Sequence, residues 1–154
     1  MSDVTPGMKA PAFSGNDQDG KNIRLTDLKG QKVVLFFYPK DMTPGCTAEA
    51  CNLRDNYAAL KKAGYTILGI SADSEESHKK FISKHDLPFS LIADTDGEII
   101  RRYGAWGEKS MYGKKYMGII RKTVLIDENG MISRIIEKVK TADHASQILD
   151  ENAG

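Results

Sequence analysis

The run Lys32-Val33-Val34-Leu35-Phe36-Phe37-Tyr38, stopped by Pro39, constrains this chain more than any other segment. Apolar side chains on both faces of an extended segment need cover on both sides, as in a strand inside a sheet flanked by helices. A second such run, Tyr65-Thr66-Ile67-Leu68-Gly69-Ile70-Ser71, follows, and a shorter one surrounds Phe89-Ser90-Leu91-Ile92. Between the first two, Thr43 and Pro44 carry the signals of a helix start, an N-cap and a first-position proline. Ala50, Leu53, Tyr57 and Leu60 then share one stripe of a helix that stops at Gly64. Asp73 and Ser74 offer caps for a helix reaching about Lys84, and Thr95-Asp96-Gly97 opens another through about Tyr103. Residues 122–126 and 131–137 read as strands joined at Asp127-Glu128-Asn129-Gly130, where Asn-Gly favours a tight hairpin turn. A short polar helix from about Ala142 closes the chain. This order predicts an α/β fold with a mixed central sheet flanked by helices. It is compatible with a thioredoxin-like fold without singling that fold out. No repeat or linker divides residues 1–154, so a single domain is expected.

A chain of 154 residues needs no disulfide or metal to fold, because a domain of that size buries about two-thirds of its unfolded surface. Lys plus Arg is 22 against 21 Asp plus Glu, a balance that gives nucleic acid or an anionic membrane nothing to recognise. No apolar run approaches the roughly 20 residues of a membrane span, and Met1 to Pro11 lacks a signal-peptide core. A cytosolic protein is expected. In that compartment disulfides tend to be transient and catalytic, which gives the two cysteines, Cys46 and Cys51, their interest. Two cysteines exclude a disulfide framework and a four-cysteine zinc site. A mixed site would need two of His78, His85 and His144, which lack finger-like spacing, so no metal is expected.

Cys46 falls in the first turn of the expected helix, where unpaired N–H groups and the positive dipole end favour a thiolate. It also follows the carboxyl end of a buried strand, where open α/β sheets gather ligands, and it is expected to be accessible. The alternative is a small buried hydrophobe, the ordinary fate of a free cysteine. Five helical residues separate the Cα atoms of Cys46 and Cys51 by ~8.6 Å, beyond the roughly 7 Å that a disulfide accepts. If the two react, at least one turn must unwind. Otherwise Cys51 is a packed helix residue.

The segment from Phe36 through Tyr38-Pro39-Lys40-Asp41-Met42-Thr43-Pro44-Gly45-Cys46-Thr47-Ala48-Glu49-Ala50-Cys51 resembles the active site of a peroxiredoxin, with Pro39, Thr43 and Cys46 in its Pro-x-x-x-Thr-x-x-Cys pattern. The second cysteine five places on resembles the atypical two-cysteine subgroup called bacterioferritin comigratory protein, or peroxiredoxin Q. Tyr103 to Lys109 and Tyr112 to Arg121 look like that subgroup too, and the likeness runs from Gly7 to the terminal helix.

The resemblance implies a thioredoxin-like fold with an N-terminal hairpin extension, and reduction of hydrogen peroxide and organic hydroperoxides without a cofactor. It makes Cys46 the peroxidatic cysteine and Cys51 the resolving one, joined in an intramolecular disulfide that thioredoxin or a similar dithiol reduces. A monomer is implied by the same likeness. Arg121 becomes the cation facing sulfur and peroxide, where residue type alone would give a surface arginine. Thr43 gains a catalytic hydroxyl that donates to thiolate or peroxide, beside its capping role of accepting from the Cys46 N–H. Pro39 ends the strand and shields the thiolate. Glu49 matches the motif and would buttress Arg121, or else is a solvated helix residue. Tyr38 and Trp106 line the pocket mouth or belong to the core. The histidines receive no role and are expected at the surface. Two other readings share these features: a thiol-disulfide oxidoreductase, which would carry Cys-x-x-Cys, and a redox sensor or holding chaperone that changes shape on oxidation.

Overall fold

The computed structural model describes residues 4–150. Its centre is strand β3 (Lys32–Phe37), paired parallel to β4 (Tyr65–Ser71) and antiparallel to β8 (Lys122–Ile126). Strand β5 (Ser90–Ala93) extends the sheet beyond β4, and β9 (Ile132–Ile136) extends it beyond β8, giving the order β5-β4-β3-β8-β9. Every residue of β3 after Lys32 is buried, as its unbroken apolar run requires. Val33, Leu35 and Phe37 point into one core, while Val34 and Phe36 point into the other.

The second core is covered by α1 (Pro44–Asp55), α2 (Tyr57–Lys62), α3 (Glu75–His85) and α5 (His144–Leu149), which bring Leu53, Leu60, Phe81 and Ile148 onto the sheet. The first is covered by α4 (Glu98–Arg102) and by the N-terminal stretch, including Phe13. A small antiparallel hairpin, β1 (Ser14–Asn16) with β2 (Asn22–Arg24), forms the expected N-terminal extension. A second two-stranded hairpin, β6 (Trp106–Met111) with β7 (Lys114–Ile119), stands apart from the main sheet.

Four local expectations change. The helix expected to run to Gly64 breaks at Asn56, whose φ of −110° is non-helical and whose side-chain amide donates to Asn52 O. The Asn129-Gly130 pair is not a two-residue turn, because Asp127 accepts from the N–H groups of Asn129 and Met131 and only Gly130 takes positive φ. Ser74 alone caps α3, and Asp73 turns away to accept from Asp41 N. The β6–β7 hairpin has no signal in the sequence because its turn is Tyr112-Gly113, both at positive φ, and tyrosine is a poor marker of that conformation.

Candidate active site

The pairing of Phe37 with Lys122 brings Arg121 to the carboxyl end of β3, where α1 begins. That register joins residues 75 positions apart in the chain: Arg121 Nη2 donates to Cys46 Sγ at 3.3 Å. Nη1 of the same guanidinium donates to Glu49 Oε1 at 2.6 Å. Glu49 stands three residues along α1 from Cys46, so one rigid fork spans a single helical turn. Gly45 leaves room for it: a Cβ there would lie 3.2 Å from Arg121 Nη2.

Cys46 is buried, at 1% exposure, and packs among Tyr38, Ala50 and Leu53. The expected accessibility is corrected: the first turn of α1 lies on the sheet, and Arg121 covers the sulfur. Cys51 is half-buried further along the same intact helix, and both thiols are free.

Charge around the sulfur is one-sided. Burial disfavours the Arg121 cation, but Glu49 and Cys46 outweigh burial and raise its pKa. Lys109, on β6, is pushed down by burial and by Arg121 and drawn up by Cys46, which makes it a second cation of this neighbourhood. Its Nζ donates to Ile119 O at 2.8 Å. Glu49 is fully buried, and desolvation lifts its carboxyl to about 7 against the opposing pull of Arg121.

Thr43 takes the extended N-cap conformation, yet its hydroxyl donates to Lys40 O at 2.7 Å and makes no side-chain cap. The expected bond to the Cys46 N–H is corrected, and the cause is the tight loop before it. Met42 has a φ of 66°, which curls Lys40 O back toward Thr43. That loop is clamped by Asp41, which accepts from Tyr38 Oη at 2.6 Å and Ser77 Oγ at 2.8 Å and lies 2.7 Å from His78 Nδ1. Tyr38 is therefore a core residue and does not line a mouth; burial, then Asp41, raises its phenol well above its ordinary pKa. Pro39 is half-buried between β3 and the clamped loop.

Trp106 is 37% exposed and pairs with Ile119 at the base of the β6–β7 hairpin. His78 and His144 are both fully buried, against the surface expectation. Asp41, Asp73 and His78 hold oxygen and nitrogen atoms within 4.8 Å of one another, but the three are already tied into the loop clamp. Sequence reasoning missed Lys109, Asp41, His78, Thr123 and His144. Asp41 lies within the motif stretch without a role read for it, and no spacing to Cys46 marks the other four, which strand register and helix docking place. A hollow of about 550 Å³ bordered by Ser14, Asn22, Glu75 and Asp94 shares no residue with this site. Among the described residues, no helix is long and apolar enough to cross a membrane.

The AhpC/TSA family pattern matches residues 6–135. Peroxiredoxin Bcp of Escherichia coli (strain K12) is 47% identical over 150 residues, spanning 97% of this chain and 96% of its own. The bacterioferritin comigratory protein of Xanthomonas campestris, described for its alkyl peroxide reduction activity, superposes with a TM-score of 0.86 at 36% identity, covering 94% of this chain and 95% of that one. A cysteine-to-serine variant of peroxiredoxin Q from Xylella fastidiosa gives 0.91 at 30% identity, covering 98% and 96%.

A thioredoxin-like sheet with a thiol at the head of the helix after its central strand is the frame of a thiol peroxidase, an oxidoreductase of antioxidant chemistry. The chain belongs to the AhpC/TSA family, among the peroxiredoxins of the bacterioferritin comigratory protein and peroxiredoxin Q type. Its substrate is a peroxide and its electrons come from a thiol reductant.

Proposed function

We propose that Cys46 is the peroxidatic cysteine of this enzyme and Cys51 its resolving cysteine. The observation that carries this reading is the Arg121 guanidinium bridging Cys46 Sγ and Glu49 Oε1. The Cys46 thiolate attacks the terminal oxygen of a hydroperoxide. The S–O bond forms as the O–O bond breaks, and the departing oxygen takes a proton and leaves as water or an alcohol. Negative charge spreads over sulfur and both oxygens, and a fixed cation aimed at it is the largest kind of catalytic stabilisation. The first-turn N–H groups of α1 have no side-chain cap, which leaves them free to donate to the same charge. Thr43, with its proton committed to Lys40 O, keeps lone pairs that accept the O–H of the peroxide. Pro39 keeps water from the thiolate.

The resulting sulfenic acid condenses with the Cys51 thiol, forming the Cys46–Cys51 bond and releasing water. Thioredoxin or a similar dithiol then reduces that disulfide. Alkyl hydroperoxides are substrates beside hydrogen peroxide, by analogy with the Xanthomonas campestris relative. The likeness to the subgroup supports a cytosolic monomer. Exposure of the reduced protein to one equivalent of hydrogen peroxide, followed by peptide mapping, tests the pairing. The expected product has lost two hydrogens and yields a linked Cys46–Cys51 peptide. Gain of one oxygen with Cys51 still alkylatable would remove Cys51 from the mechanism.

A further inference from the structure

Behind Arg121, the Glu49 carboxylate is half satisfied. Oε1 accepts from the guanidinium, whereas the buried Oε2 has no hydrogen-bond partner. A buried acceptor left open is costly and calls for an explanation. His144 Nε2 stands 3.6 Å from Oε2, on a ring that is itself fully buried.

The ring's tautomer follows from its other contacts. His144 Nδ1 lies 2.8 Å from Gln147 Oε1, and the Gln147 amide nitrogen is committed to Lys138 O. An amide oxygen only accepts, so Nδ1 carries the hydrogen. Nε2 of the neutral ring is then a lone pair, facing Thr123 Oγ1 at 2.7 Å. The Thr123 hydroxyl proton fills that lone pair, so the ring has no hydrogen to give Glu49 Oε2. Oε2 is left to carry the carboxyl's own proton.

We propose that His144 is a positioning residue of the peroxidase site: its neutral ring withholds a donor from Glu49 Oε2, the carboxyl keeps its own proton, and that proton sets how much of the Arg121 charge remains for the Cys46 thiolate. The inference rests on the reading of Cys46 as the peroxidatic cysteine. With the proton in place Glu49 is neutral, and the guanidinium faces sulfur unopposed. Without it, the carboxylate absorbs part of that charge.

The charged groups facing the pair come from every side. Cys46 is on α1, Arg121 precedes β8, Arg134 is on β9, and Lys109 on β6 senses both Arg121 and Cys46. The imidazolium is disfavoured, first by burial and then by Arg121 and Arg134, although Gln147 favours it. The Glu49 carboxyl is lifted to about 7 by burial. Burial thus keeps the ring neutral and, below about pH 7, leaves the proton on the Glu49 carboxyl.

Three forms of the reduced protein test this without peroxide: wild type, Glu49→Gln and His144→Gln. The first readout is imidazole ¹⁵N resonances across about pH 5 to 9, a window spanning the ordinary histidine value. In wild type the His144 Nε2 resonance moves with a midpoint near 7, and in Glu49→Gln that step disappears. The second is the rate of Cys46 alkylation by iodoacetamide. The amide introduced by His144→Gln would donate to Oε2 and keep Glu49 ionised, so alkylation near pH 6 falls about three- to tenfold. A merely structural histidine would lower the melting temperature while leaving both midpoints in place, which would overturn the proposal. Should His144→Gln fail to fold, loss or persistence of the His144 step in Glu49→Gln decides alone. Peroxide consumption surviving Cys46→Ser would instead overturn the cysteine assignment, leaving the Glu49–His144 coupling to be judged on its own resonances.

Discussion

Cys51→Ser is expected to consume one equivalent of peroxide and then stop, with no sustained turnover on thioredoxin. Attack on peroxide uses Cys46, Arg121, Thr43, Pro39 and the head of α1, all of which this variant keeps. Regeneration needs a second thiol. With α1 intact the two Cα atoms sit ~8.6 Å apart, so the disulfide forms only after a turn unwinds. The fold makes that opening inexpensive at one end and costly at the other. Thr43 gives α1 no side-chain cap, which leaves the first turn about 1 kcal/mol weaker than a capped one. Further on, Ala50 and Leu53 are fully buried and hold the rest of the helix on the sheet. Unwinding therefore starts at Pro44 and carries Cys46 toward Cys51. In the variant, sulfenic acid accumulates at one equivalent, and only excess peroxide, consumed as a second equivalent, oxidises it onward to sulfinic acid. A coupled assay with thioredoxin and a sulfenic-acid trap reads both effects; steady cycling of the variant would show that another thiol resolves Cys46.

Arg121→Gln is expected to slow Cys46 oxidation by about two to three orders of magnitude, the scale of losing one preorganised donor to a developing anion. Gln keeps a hydrogen bond but removes the charge and the second arm of the fork. Glu49 then loses the donor at Oε1 and has no remaining partner for either oxygen. Arg121→Lys is expected to fall between the two, since an ammonium retains the charge and spans only one of the two contacts. Second-order rates from rapid mixing, with melting temperatures alongside, separate the catalytic loss from any loss of folded protein. A rate within threefold of wild type for Arg121→Gln would mean that the guanidinium is a packing group.

Much of this site is readable in the sequence because its core is local. The strand ending before Pro39, the helix head at Pro44 and the Cys46 to Cys51 spacing all lie within one stretch of chain, where apolar run and breaker residues speak directly. Arg121 comes from family likeness alone; only the antiparallel register of β3 with β8 gives it a physical reason to be there. The burial of Cys46 is not legible, because a first-turn position does not reveal what lies across it. Thr43 misleads for a similar reason: the N-cap rule is met in backbone conformation, while Met42 at positive φ gives its hydroxyl a nearer acceptor. The buried histidines are invisible, since His78 finds Asp41 and His144 finds Thr123 and Gln147 only once α3 and α5 dock on the sheet.

The most direct test of the central claim is stopped-flow mixing of reduced protein with hydrogen peroxide, followed by the fluorescence of Trp106, the single tryptophan. Trp106 pairs with Ile119, two residues before Arg121, which ties it to the chain segment that carries the guanidinium. The account predicts a rapid change, first order in peroxide, that survives in its first phase in Cys51→Ser and is absent in Cys46→Ser. Oxidation of wild type at the rate of an ordinary free thiol, or an undiminished change in Cys46→Ser, would contradict it.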